Sequence, residues 1–362
     1  MKIGKVSKFG SADGLCVRTQ AVVESLQDRG HEVHAFTQAK SVDNLSPDRV
    51  HSYRSIALNP HFYLDTLSAS KIIAKKSRDL GIQVLHVQMN SSSTEFFLPY
   101  FKKSLPPLVV TYHLAYASGD SLSTLLFDIA WKASLFVVKK YDQIVLVDPA
   151  QKKYFLQNGI PEEKMTVIRN GVDSKLFIPK SVRRDSDRIE FVYVGRLSID
   201  KGVNTLVDAF RSYHAEEPNS RLTLVGDGML KTQFRDCIED GSICWYGSIE
   251  HDRIPEILQR SDVFVIPQNI GGLGLSVLEA MSCGLPVITT AIGETKHLLS
   301  RDEGILIEPN NSDAVRDAMS MLAQDKILRE RMGKNCRKKI VDEYSWSNQV
   351  TKLEEVYGRV VE

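Results

Sequence analysis

Short apolar runs alternate along this chain with longer segments whose apolar residues recur every three or four positions, which predicts strands and helices in turn. Ile3 to Val6 reads as a first strand, followed by a loop Phe9-Gly-Ser-Ala-Asp-Gly14. A helical run from Val17 to Arg29 comes next, ended by Gly30, and then a second strand from His31 to Thr37. Val84 to Gln88, Leu108 to Tyr112, Gln143 to Val147 and Thr166 to Arg169 are further strand patterns. The second half restarts the scheme with Ile189 to Val194, a strand and glycine turn from Arg221 to Gly228, and Ile243 to Gly247. Val263 to Ile266 and a strand opened by Pro286 and Val287 complete it. Helical sequence from Asp313 to Asp342 and a last amphipathic helix end the chain. Two α/β units with parallel sheets are expected.

The chemistry concentrates in the passage from Val263 to Ile288. Its strand leads into Gly271, Gly272 and Gly274, and good helix-forming sequence begins at Ser276. Such a loop puts bare backbone N–H groups at a helix N-terminus, a site suited to phosphate because the first amides lack partners and the helix dipole adds positive potential. Glu279 falls about one turn into that helix. It reads either as a carboxylate accepting hydrogen bonds from a pair of sugar hydroxyls or as an ordinary exposed helix residue. In the loop Gly195 to Gly202, Arg196 offers a fork of donors and Lys201 a compact charge. Together they can neutralise a diphosphate without a metal, although isolated basic residues are usually only solvated.

The residues Gly-Leu-Ser-Val-Leu-Glu-Ala-Met-Ser-Cys-Gly-Leu-Pro-Val-Ile (274–288) resemble the signature of the family-four retaining glycosyltransferases. That resemblance implies the GT-B fold, with two Rossmann-like domains facing across a cleft, the first taking the acceptor and the second a nucleotide-diphosphate sugar. It assigns Arg196 and Lys201, in a matching Gly-Arg-Leu-x-x-x-Lys-Gly, to the donor diphosphate. It places Gly272, Leu273, Gly274, Leu275, Ser276 and Val277 around the donor and Glu279 on its ribose. Thr111-Tyr-His113 is similar to the family's Thr-x-His, whose histidine contacts the donor sugar; otherwise His113 is a capping or surface residue. Asp13 and Gly14 stand where the family has a Gly-Gly pair near the donor phosphate and acceptor, and Asp13 alone reads first as a loop cap and otherwise as a carboxylate near an acceptor hydroxyl. Trp245 and Tyr246 frame the base or pack in the core. Two departures bear on the sugar: the first acid of the family's Glu-x7-Glu pair falls on Gly271, and the glutamate of its Gly-Gly-x-x-Glu falls on Lys296.

The implied domains run from 1 to 178 and 188 to 342, joined by a charged linker at 179–187, with 343–362 a helix returning to the first domain. Basic and acidic residues nearly balance, 46 against 45, which removes the electrostatic case for a nucleic-acid partner. Five scattered cysteines, without metal-ligand spacing, suit a reducing compartment, and no metal or cofactor is expected. The N-terminus lacks a signal-peptide pattern and no apolar run reaches the ~20 residues of a spanning helix, so a cytoplasmic location is expected. Leu122 to Tyr141 is apolar on most of a helix circumference; it is either buried or, with Leu98 to Leu105, docks on the inner face of a membrane to reach a lipid acceptor. Oligomeric state carries no sequence signal.

The expected activity is retaining transfer of a hexose-type sugar from a GDP-mannose or UDP-glucose type donor to a hydroxyl of a glycan or lipid-linked acceptor. Gly271 and Lys296 keep two other readings open: a nucleotide-sugar-binding subunit without turnover, and a nucleotide-sugar epimerase of the same fold.

Overall fold

The computed structural model describes residues 1–10, 14–59, 62–89, 92–113, 132, 134–180, 188–230, 238, 240–270 and 273–362. They divide into two compact units, Met1–Asn170 with Trp346–Glu362, and Gly171–Ser345.

The first unit contains β1 (Lys2–Val6), β2 (Glu32–Thr37), β3 (Val50–Ser52), β4 (Ser55–Asn59), β5 (Phe62–Asp65), β6 (Val84–Gln88), β7 (Leu108–Tyr112), β8 (Gln143–Leu146) and β9 (Met165–Val167). Seven of these form one sheet in the order β3-β2-β1-β6-β7-β8-β9, every pair parallel, while β4 and β5 make a separate antiparallel pair. A parallel sheet is covered on both faces, so its central strands are apolar throughout rather than alternating. All five residues of β7 are buried accordingly. Helix α1 (Gly14–Asp28) links β1 to β2 and buries Val22, Val23 and Leu26.

The second unit contains β10 (Ile189–Val194), β11 (Ser220–Val225), β12 (Ile243–Trp245), β13 (Val263–Ile266), β14 (Val287–Thr290) and β15 (Gly304–Ile307). Their order is β12-β11-β10-β13-β14-β15, again all parallel. The chain therefore winds one way from β10 to β12 and the other way from β13 to β15. The loops behind β10 and β13 diverge and leave a crevice at their carboxyl ends, where open α/β sheets take ligands. Helix α2 (Val203–Glu216) follows β10 and α3 (Leu275–Ser282) follows β13.

The helical stretch expected from Asp313 to Asp342 is two helices, Ser312–Gln324 and Lys326–Lys339. Asp325 separates them because its carboxylate caps the second, accepting from the Leu328 N–H at 2.8 Å. The last helix, α4 (Trp346–Val361), packs on the first unit through Trp346, Val350, Leu353, Val356 and Tyr357. Arg29 and His31 also hold it, at 2.6 Å and 2.7 Å from the Glu354 carboxylate.

Candidate active site

The crevice of the second unit is built by two loops that lie almost backbone on backbone. Gly202 has φ of 69°, and a Cβ there would sit 1.8 Å from the Pro267 carbonyl oxygen, so only glycine fits. Asn269 and Ile270 donate their N–H groups to the Asp200 carbonyl at 2.9 Å and 3.2 Å, and the Asn269 amide reaches the Ile199 carbonyl at 3.0 Å. A third loop joins from β11: Leu197 donates to the Asp227 carbonyl at 2.9 Å. These bonds fix where the two basic residues stand.

Lys201 ends the short turn before α2, with Nζ 3.4 Å from Gln268 Oε1 behind β13. Burial lowers its pKa, the Asp200 carboxylate opposes that, and the Arg196 guanidinium reinforces it. A bound anion would supply the missing counter-charge. Arg196 is exposed and pairs with Asp200 at 3.1 Å. An ion pair in water contributes little, so the guanidinium can leave it at small cost to meet a phosphate.

At the start of α3, Gly274 takes an extended conformation and no side chain caps the helix. Leu273, Gly274, Leu275 and Ser276 are partly exposed, while Val277 is buried. The first amides of the helix are thus available to an acceptor from outside. Gly271 and Gly272, expected in this loop, lie outside the described residues, as does Asp13 of the first unit. Glu279 is buried rather than exposed, and its Oε1 accepts from His251 Nε2 at 2.7 Å. Burial pulls the His251 pKa down, but the hydrogen bond and charge of Glu279, with Asp252 and Asp173, raise it overall. His251 also packs on the Phe177 ring at 5.3 Å. Tyr246 is half exposed, whereas Trp245 packs against the core and donates to the Gly226 carbonyl at 2.8 Å. Lys296 is exposed in a short helix whose N-cap, Glu294, is buried.

In the first unit, His113 stands just past β7, and its Nε2 lies 2.6 Å from Gln88 Oε1 and 3.1 Å from Arg18 Nη1. Burial pushes its pKa well below the ordinary histidine value, and Arg18 and Lys5 push it further, so the ring is neutral. Gly14 is exposed at the start of α1. His86 is deep in the sheet between Lys5, Thr111 and Tyr357. Among the described residues no cluster of His, Cys, Asp or Glu is able to hold a metal ion, and no helix is long and apolar enough to cross a membrane.

The sequence profile described as Glycosyl transferases group 1 matches residues 174–339, and that described as Glycosyltransferase Family 4 matches residues 12–176. The chain belongs to glycosyltransferase family four. An uncharacterized glycosyltransferase of Methanocaldococcus jannaschii is 25% identical, over 96% of this chain and 95% of its own. The Escherichia coli UDP-Gal:alpha-D-GlcNAc-diphosphoundecaprenol alpha-1,3-galactosyltransferase is 28% identical, over 80% of this chain and 78% of its own. Among solved structures, Anabaena HepE in complex with UDP-glucose superposes with a TM-score of 0.78 at 18% identity, covering 99% of this chain and 100% of that one. The fold of this glycosyltransferase is GT-B, as the sequence resemblance implied.

Two features of the glycosyltransferase were not visible in its sequence. His251 lies 28 positions before Glu279 in a turn with no motif around it, and only the fold brings the two together. Arg18 and Lys5 are charges inside a predicted helix and a predicted strand, where the apolar pattern masks them.

Proposed function

We propose that this glycosyltransferase moves a hexose-type sugar from a UDP-sugar donor to a hydroxyl of a glycan or lipid-linked acceptor, with retention of anomeric configuration and without a metal. The observation that carries this reading is the convergence of Lys201, Arg196 and the uncapped start of α3 on the crevice between β10 and β13. UDP is favoured over GDP because the names of the Escherichia coli relative and the Anabaena structure both specify UDP-sugars.

In the proposed reaction the acceptor oxygen bonds to the anomeric carbon on the face from which the diphosphate leaves. The bond from that carbon to the β-phosphate oxygen breaks, and the hydroxyl proton passes to the departing phosphate. Lys201, Arg196 and the amides of Gly274 to Ser276 are donors placed for the charge that develops there, while the Val277 N–H donates to the Gly274 carbonyl at 3.2 Å; such preorganised stabilisation is usually the largest contribution to catalysis. Glu279 holds the ribose, His113 positions the donor sugar, and Asp13 with Gly14 borders the acceptor.

A lipid-linked acceptor is supported by one surface of the first unit. Phe136 and Tyr100 are 72% and 66% exposed, with Lys139 and Lys140 over their rings at 5.9 Å and 4.7 Å. Lys102 reaches the Lys140 carbonyl at 3.4 Å, which draws the lysines into one patch. Exposed aromatic rings beside lysines suit the interface of an anionic bilayer.

The test is a thermal-shift series with UDP-, GDP- and ADP-sugars, followed by transfer of labelled sugar to lipid-diphosphate acceptors. A rise in midpoint with UDP-sugars and label in the lipid phase is expected. No shift with any nucleotide would overturn the reading.

A further inference from the structure

The first unit buries a cluster of basic groups that no acid among the described residues answers. Lys5, Arg18 and His86 are 0%, 5% and 1% exposed, and His113 adjoins them at the end of β7. The sheet register itself pairs Lys5 with His86 across β1 and β6, with Nζ 2.8 Å from Nδ1. Burial and the Arg18 charge push the Lys5 pKa well down, and burial with Lys5, Arg18 and His113 does the same for His86. Among the described residues, no carboxylate hydrogen-bonds to any of the four, and none stabilises the charge of any of them.

Arg18 is the member that does not neutralise. Burial brings its pKa down only to about 10, with the Tyr357 phenol working weakly the other way, so the guanidinium remains charged at neutral pH. Its contacts are poor for such a charge. Nη1 lies 3.4 Å from Gln88 Oε1 and 3.1 Å from His113 Nε2, while Nε is buried with no hydrogen-bond partner among the described residues. Gln88 Oε1 is also taken by His113 at 2.6 Å. When His113 donates to Gln88 from Nε2, that nitrogen has no lone pair left for Arg18. Arg18 and His113 then share one amide oxygen, and the Arg18 Nε has no acceptor among the described residues. Leaving a charged donor buried and unpaired costs more than a typical hydrogen bond returns, so an empty site of this kind is held for a partner.

We propose that Arg18, with His113 and Gln88 around it, is the recognition site for an oxyanion, a phosphate or carboxylate, on the acceptor substrate. The geometry suits such a group: a planar fork of donors beside the carboxyl ends of β6 and β7, matched to two oxygens. The inference rests on the proposed division in which the first unit takes the acceptor, and it adds that the acceptor is charged next to its reacting hydroxyl.

The experiment is calorimetric titration of the full chain with inorganic phosphate and, separately, succinate, with the donor crevice first saturated with UDP. UDP binding is measured beforehand on its own; its failure would remove the proposed donor chemistry and leave Arg18 to be tested by the same titrations in a Lys201→Ala background. Wild-type protein is expected to bind at least one of the two anions, and Arg18→Met to bind it about tenfold or more weakly, as loss of a charge-assisted fork requires. The UDP affinity of the variant should match that of the wild type.

Ligand-free stability supplies the second readout. Arg18→Met keeps the volume and removes the unpaired charge, so its midpoint should equal or exceed that of the wild type. A clear fall would make Arg18 a structural residue and overturn the proposal. So would anion binding that is unchanged in Arg18→Met, or absent from the wild type because Asp13 already supplies the counter-charge. Once a turnover assay exists, an acceptor lacking any acidic group that loses as much on Arg18→Met as an acidic one does would place the charge on the donor sugar instead and likewise overturn the assignment.

Discussion

His251 donates to Glu279 at 2.7 Å, and by doing so fixes the carboxylate proposed to hold the donor ribose. The pair has a pH consequence. The His251 pKa is raised in the folded protein, so its contribution to stability is fully present below the ordinary histidine pKa and is lost as pH rises through the raised value. Thermal midpoints measured between mildly acidic and mildly alkaline pH should therefore fall more steeply in the wild type than in His251→Gln. Parallel profiles would remove the coupling.

Arg196→Ala and Lys201→Ala each remove a cation proposed to meet the leaving diphosphate. The expected loss in kcat/KM is about 10²-fold for either, the size found when one preorganised donor is deleted. Lys201 is half-buried and tied to Gln268, so its removal should cost more than that of exposed Arg196. Steady-state kinetics with a UDP-sugar would read both, and unchanged rates would take these residues out of the site.

Gly202→Ala places a methyl group against the Pro267 carbonyl at a positive φ. Strain of this kind costs about 1–3 kcal/mol before the backbone clash is relieved. Relief would separate the loops behind β10 and β13 and move Lys201. Urea denaturation should show the destabilisation, and UDP binding should weaken with it; a variant as stable as the wild type would contradict the close approach.

The aromatic and lysine patch predicts binding to bilayers. Co-sedimentation with vesicles containing phosphatidylglycerol should be retained by the wild type at moderate salt and reduced by Phe136→Ser or by Lys139→Ala with Lys140→Ala. Insensitivity to these changes, or equal binding to neutral vesicles, would detach the patch from the lipid reading.

Gly271 stands where the family carries an acid, and its replacement by glutamate tests the sugar pocket. Gly271→Glu should alter the ratio of rates between UDP-glucose and other UDP-sugars. An unchanged donor profile would make the position silent.

The parts of this protein read correctly from sequence are those in which one local pattern decides the outcome. Leu108 to Tyr112 and Val263 to Ile266 are strands to the residue, because a strand buried on both faces leaves a continuous apolar run. The loop from Gly195 to Gly202 was legible because glycines bound it on both sides, while the roles given to Arg196 and Lys201 within it are proposals. Residues 51–80 were not: the antiparallel pair β4 and β5 and the helix Leu67–Leu80 gave no reading, their short strands being less distinct than the parallel core. Long-range polar contacts were equally silent. The sequence leaves Glu279 open between a ligand-binding carboxylate and an ordinary exposed residue, because helix position alone says nothing of His251, and the contact of His86 with Lys5 depends on the register of β1 against β6.

The second unit interrupts the first in sequence. It begins at Gly171 and ends at Ser345, and the Val172 N–H donates to the Tyr344 carbonyl at 2.9 Å beside a parallel bridge between Val172 and Ser345. The polypeptide thus goes out and comes back through one narrow doorway, without lending a strand to the sheet it leaves. A protein joined in this way can have its whole second unit exchanged between relatives with two cuts, while the helix that closes the first unit stays where it is.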